Sequence, residues 1–197
     1  MLVATLAAEH DLTDDTGKQT SARLRRNLDQ FLAGVEQRAL AIAQISLHDY
    51  AESMDVVQDA MIRLVKSYAN RPADEWTPLF YRILNNRIRD TQRRRKVRNR
   101  VMSWFGSGRD NEEPDPIASA PDRQTATPLE ALEAEETHAK LSAAVAALPS
   151  RQREAFMLRS MEGLDTRSSA VAMACSEGSV KTHYSRALNS LREVLAE

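Results

Sequence analysis

The chain has 197 residues, 42% of them hydrophobic, with 27 Lys and Arg against 28 Asp and Glu. That is enough for one ordinary domain or two small ones with buried cores, and it excludes a wholly disordered chain. The near-zero net charge carries no information about partners as an average, so any electrostatic function lies in how the charges are segregated.

They are segregated sharply. From Arg82 to Arg100 the charges are almost all basic, with Asp90 the lone acid, whereas from Asp110 to Glu136 they are almost all acidic. One cysteine, Cys175, rules out an intrachain disulfide and fits a reducing compartment, so the cytoplasm is expected. No apolar run approaches the ~20 residues needed to span a bilayer, and the opening MLVATLAAEHDLTDD lacks a secretory pattern. Direct membrane insertion is not expected.

In chain order, residues 1–20 read as a flexible extension. Residues 21–102 form a first helical domain. Leu24, Leu28, Phe31, Leu32, Val35, Leu40 and Ile42 recur at helical intervals, then Val56, Val57, Ala60, Met61, Leu64 and Val65, then Phe80, Ile83, Leu84 and Ile88. Asn70-Arg71-Pro72 breaks the chain between the second and third helices. Residues 103–128 hold most of the seven prolines and little apolar material, and read as a flexible acidic linker.

Residues 129–197 form a second helical domain. LEALEAEETHAKLSAAVAAL predicts one helix, SRQREAFMLRSMEG a second stopping near Gly163, and residues 166–174 a short third. After a turn at Cys175, Ser176 can cap a fourth helix, with Glu177 at the positive end of its dipole. Short helix, tight turn and longer helix is the helix-turn-helix pattern. The fold class expected is therefore all-α, two small helical domains joined by a tether.

On the last helix Val180, Tyr184, Ala187, Leu188, Leu191, Val194 and Leu195 share an apolar arc. Lys181, Thr182, Ser185, Arg186 and Asn189 lie opposite, able to bond phosphates and base edges. An ordinary amphipathic helix with a solvated face is the plain alternative. On the third helix Tyr81, Arg82, Asn85, Asn86, Arg89 and Arg93 mix base-capable groups with charge, which suits nucleic acid better than a solvated face or a lipid surface. His10, His48, His138 and His183 are scattered and no phosphate-cradling glycine loop occurs, so no active site, metal or cofactor is read and an enzyme is not expected.

Four segments resemble the bacterial sigma-70 family, specifically its small extracytoplasmic-function (ECF) group: DVVQDAMIRL (55–64), LFYRILNNRIRDTQRRR (79–95), LPSRQREAFMLRSMEGL (148–164) and GSVKTHYSRAL (178–188). The resemblance implies a promoter-specificity factor that binds core RNA polymerase, recognises −10 and −35 promoter DNA elements and helps melt the duplex, with an anti-sigma factor as a further partner. It implies that Asp55, Gln58, Asp59 and Arg63 grip the polymerase. Asn86, Arg89, Arg93 and Arg94 would face DNA near the −10 element, and the segment from Ser67 to Trp76 would hold an unstacked base. Lys181, Thr182, Ser185 and Arg186 would read the −35 element, with Arg159 and Ser179 contacting its backbone, while the acidic linker would thread a basic polymerase channel.

Two departures stand out. Leu79 replaces the usual tryptophan, and Arg167-Ser168-Ser169 replace an acidic pair and isoleucine, so Ser169 is expected to bury a hydroxyl where an aliphatic belongs. The rival readings are a regulator that binds DNA alone through the C-terminal motif and a decoy that only sequesters an anti-sigma factor. Both leave the basic third helix and the clamp-like second helix unexplained together.

Overall fold

The computed structural model describes residues 2–104 and 139–196, with side chains from residue 23 to 101 and from 139 to 196. Among them are helices and no strands. The expected linker lies outside the described residues except at its start, where the third helix continues to Trp104.

In the first domain α1 (Leu2–Leu47) packs against α2 (Tyr50–Tyr68) and α3 (Ala73–Trp104). The backbone is helical back to Leu2, through the segment expected to be a flexible extension; no proline interrupts residues 2–20. The core takes Leu28, Val35, Ala39, Ile42, Ala43 and Leu47 from α1, Val56, Val57, Ala60 and Leu64 from α2, and Trp76, Phe80, Leu84 and Ile88 from α3. Phe31 ties α1 to α3, 5.8 Å from Trp76 and edge-on to Phe80 at 6.2 Å between ring centroids.

The turns are set by local chemistry. α1 stops where His48 takes a left-handed conformation (φ 54°), and Asp49 caps α2 by accepting from the Glu52 N–H at 2.9 Å. The break at Asn70-Arg71-Pro72 is present, but the interhelical turn is shorter than the Ser67–Trp76 segment read from the sequence. Trp76 belongs to α3, is buried, and its indole N–H donates to the Tyr68 carbonyl at 3.2 Å.

The second domain begins with α4, described over 139–147, followed by α5 (Ser150–Phe156), which widens into a π-helical turn at Met157–Met161. The turn closes on Gly163 (φ 66°), with the Leu164 N–H reaching back to the Leu158 carbonyl at 2.9 Å. α6 (Thr166–Met173) is capped by Asp165 and α7 (Glu177–Leu195) by Ser176. Ala174, left-handed at φ 50°, makes the tight turn between them. This is the expected helix-turn-helix, with Val180, Ala187 and Leu191 buried beneath α7.

The two domains also pack on each other, which composition and periodicity do not reveal. α6 lies along α3, and Arg38 of α1 pairs with Glu162 at 3.2 Å. A cavity of about 20 Å³ between them, room for about one water, is lined by Ser46, Asn85, Ile88 and Gln92 on one side and by Ser150, Arg153 and Met157 on the other.

Candidate nucleic-acid interface

On α2 the apolar stripe Val56, Val57, Ala60 and Leu64 turns inward, so helical period carries Asp55, Gln58, Asp59 and Arg63 onto the outer face. All four are exposed, and Ile62 and Val65 on the same face are also exposed. An exposed isoleucine and valine framed by acids, an amide and a cation have the composition of a protein-docking surface. Asp59 lies 3.6 Å from Arg87 of α3.

The basic run on α3 divides by helical position. Asn86, Arg93 and Arg94 are exposed. Arg89 is half-buried, its Nε donating to the Asn85 carbonyl (3.2 Å) and its Nη2 to Asn86 Oδ1 (2.6 Å), so it and Asn86 hold each other in place. Arg95 points inward instead: it donates to the Leu47 carbonyl at 2.6 Å and pairs with Asp49 (3.2 Å) and Glu52 (2.7 Å). With Gln92 on the Ser46 carbonyl at 2.8 Å, it satisfies the orphan carbonyls at the end of α1. Arg95 is thus a fastener of the α1–α2 corner. Asp49 and Glu52, at capping-box spacing, were the sequence signal for that corner.

In the second domain Lys181, Thr182, Ser185 and Arg186 are exposed on one side of α7, with Thr182 donating to the Gly178 carbonyl at 3.0 Å. Ser179 is half-buried at the helix start, its N–H on the Ser176 Oγ and the two hydroxyls 2.9 Å apart. Arg159 donates to the Leu164 carbonyl and lies 5.7 Å from the centre of the Tyr184 ring, which holds its guanidinium beside α7. The Tyr184 hydroxyl in turn meets Ser160 at 3.1 Å.

The departures have clear consequences. Leu79 is half-buried and packs against the hydrophobic core. Ser169 is fully buried and its hydroxyl has no hydrogen-bond partner, as its position in the sequence led one to expect. Burial raises the Cys175 thiol above its usual range, which keeps it protonated. A backbone hydrogen bond from Ser168 lowers the Asp165 carboxyl, as befits an ionised cap.

Charged groups between the domains were not anticipated. Glu154 is buried against Arg151, at 3.0 Å, and burial raises its carboxyl above the ordinary range despite Arg89 and Arg151 nearby. Burial likewise raises the Tyr81 hydroxyl, which faces Glu162. Burial, with Arg153 and Arg95, lowers the imidazole of His48. Apart from Arg151 and Glu154, three residues apart on α5, these contacts join residues far apart in the chain and so have no local sequence signature.

With this geometry in hand, known proteins show the same arrangement. Residues 32–98 match Sigma-70 region 2 and residues 138–191 match Sigma-70, region 4. The chain is 24% identical over 199 residues to the RNA polymerase sigma-H factor of Pseudomonas aeruginosa, covering 93% of this chain and 96% of that protein. Its fold is similar to the sigma factor RpoE in complex with the anti-sigma factor NepR from Bartonella quintana (TM-score 0.61, 24% identity, 85% of this chain and 96% of that one). It is also similar to CnrH in complex with the cytosolic domain of CnrY (TM-score 0.56, 19% identity, 87% and 89%). The two family regions together span more than half of the sequence, and the chain belongs to the sigma-70 family. It is a promoter-specificity sigma factor of the extracytoplasmic-function group.

Proposed function

We propose that this sigma factor docks on core RNA polymerase through the outer face of α2, with Asp55, Gln58, Asp59 and Arg63 as its polar contacts and Ile62 and Val65 as its apolar ones. α3 then serves the −10 element: Asn86 and Arg89 meet the opened strand, while Arg93 and Arg94 neutralise neighbouring phosphates. α7 enters the major groove of the −35 element, where Lys181, Thr182, Ser185 and Arg186 meet base edges, supported on the backbone by Arg159 and Ser179. The acidic linker between the domains follows a basic channel of the polymerase. Catalysis belongs to the polymerase, the setting is the cytoplasm, and an anti-sigma factor is the expected inhibitor, as the complexes of the two similar structures suggest.

The observation that carries this reading is the simultaneous exposure of two separate polar faces, on α2 and α7, of opposite chemical character. An acidic, partly apolar face suits a protein partner, and a basic, hydroxyl-rich face suits DNA. Titration of labelled protein with core polymerase tests the assignment. Asp59→Ala is expected to weaken association without changing promoter preference, and unchanged affinity for core would remove α2 from the docking surface.

A further inference from the structure

Tyr184 lies on the apolar arc of α7, where periodicity alone makes it a packing residue. Its neighbours give it a second part. The Arg159 guanidinium sits over its ring, 5.7 Å from the centre, and its hydroxyl meets that of Ser160 at 3.1 Å, so one side chain of α7 touches two successive residues of the π-helical turn. That turn is itself fixed. Met157 and Leu158 are buried, and the left-handed Gly163 brings the chain back so that the Leu164 N–H bonds the Leu158 carbonyl at 2.9 Å. The Leu164 carbonyl in turn accepts from Arg159. The guanidinium is therefore held on two sides, by a carbonyl ahead of α6 and by a ring on α7, while the residue stays partly exposed. A guanidinium has more N–H donors than the one spent on Leu164, and contact with a ring face consumes none of them.

We propose that Tyr184 is a positioning residue for DNA: its ring holds Arg159 in line with the reading face of α7, so that the backbone contact and the base contacts engage the −35 element in one register. This rests on the reading of Arg159 as a backbone contact and of α7 as the −35 helix. Lys181 precedes Tyr184 by three residues, and Ser185 and Arg186 follow it directly, so the ring ties the guanidinium to the helix that carries the base-reading groups. A loose arginine loses rotamer freedom when it grips a phosphate, whereas Arg159 has lost much of it on folding. Leucine or methionine in the same slot would fill the space but offer no π face. The rival is a cluster that only fastens α5 to α7, as Arg95 fastens the α1–α2 corner, and that arrangement would make the ring matter to DNA binding independently of Arg159.

Holoenzyme reconstituted with the full chain, bound at several salt concentrations to duplexes it selects from a randomised promoter library, tests this. Arg159→Ala is expected to weaken binding evenly across the selected sequences and to lower the salt slope by about 1. Tyr184→Leu and Tyr184→Met should weaken it about two- to fivefold, also evenly, whereas Tyr184→Phe, which keeps the ring, stays within about twofold of the wild type. Added to Arg159→Ala, Tyr184→Leu should cost nothing more, because the ring acts through the arginine. Losses that add in the double variant would overturn the proposal in favour of the fastener. A loss from Tyr184→Leu confined to particular bases would overturn it by making Tyr184 a base reader. Thermal melts accompany the binding, and unfolding of both Tyr184→Leu and Tyr184→Met would overturn it by making the ring a requirement of the core. Unchanged binding in Arg159→Ala, with selection by the wild type intact, would do the same. A wild-type holoenzyme that selects no duplex at all would instead sink the promoter reading on which the proposal rests.

Discussion

The two helices proposed to meet nucleic acid present their polar groups in opposite ways. α7 shows Lys181, Thr182, Ser185 and Arg186 to solvent from a helix whose other side is anchored by Val180, Ala187 and Leu191. α3 carries far more charge, but its cations are divided: Arg95 fastens a corner of the fold, Arg87 pairs with Asp59, Arg89 is held by Asn85 and Asn86, and Arg93 and Arg94 are exposed, where a phosphate backbone could reach them. The count of positive charges in a run therefore says little about function. Helical position decides which charges hold the protein together and which meet a ligand.

That division is most easily broken at neighbouring arginines. Arg95→Ala removes charge-assisted bonds to a carbonyl and two carboxylates and is expected to lower stability by about 2–3 kcal/mol, whereas Arg94→Ala should stay within about 0.5 kcal/mol. Urea unfolding of the two variants checks this, and equal midpoints would erase the distinction between fastener and ligand. On α7, Lys181→Ala and Arg186→Ala should each reduce discrimination for the upstream element by about 1–2 kcal/mol. On α3, Arg93→Ala and Arg94→Ala should weaken DNA binding evenly across sequences and reduce the salt slope by about 1 each. Binding to a randomised promoter library at several salt concentrations separates the two patterns, and sequence-selective losses from α3 arginines would contradict them.

Smaller effects sharpen the comparison. Ser169→Ala deletes a buried hydroxyl without a partner in the helix that supports α7, and is expected to raise the unfolding midpoint by an amount equivalent to about 1 kcal/mol. A fall in stability would mean that the hydroxyl is bonded in solution. His48 sits at the corner that Arg95 fastens, and its folded-state pKa lies below the ordinary 6.5. The unfolded chain thus binds more protons at this site just below that value, so stability should fall as pH drops through and below 6.5, with a slope that His48→Gln removes. Thermal melts across that window measure it, and an identical slope in the variant would show that another group titrates.

Much of this was legible in the sequence because it depends on local rules. Apolar spacing located the cores of α2, α3 and α7, Asn70-Arg71-Pro72 marked the turn into α3, and Ser176 and Gly163 marked helix boundaries. The outer face of α7 followed from the same periodicity, and that of α2 from the family resemblance. Ser169 was recognisable as a hydroxyl in an apolar slot. What could not be read was tertiary: the inward turn of Arg95, the burial of Trp76 rather than its place in a loop, and the covering of Tyr81 and Asn85 by the second domain. Each of these depends on a partner in another helix, which no window of sequence contains. The π-helical turn at Met157–Met161 also had no local cue, since its residues suit an ordinary α-helix.

Transcription by purified core polymerase on a genomic promoter library, with and without this protein, tests the central claim most directly when the RNA 5′ ends are sequenced. The account expects new start sites that appear only with the protein and share a pair of upstream motifs at fixed spacing. With demonstrably active core and no inhibitor present, the absence of any protein-dependent start site would contradict it.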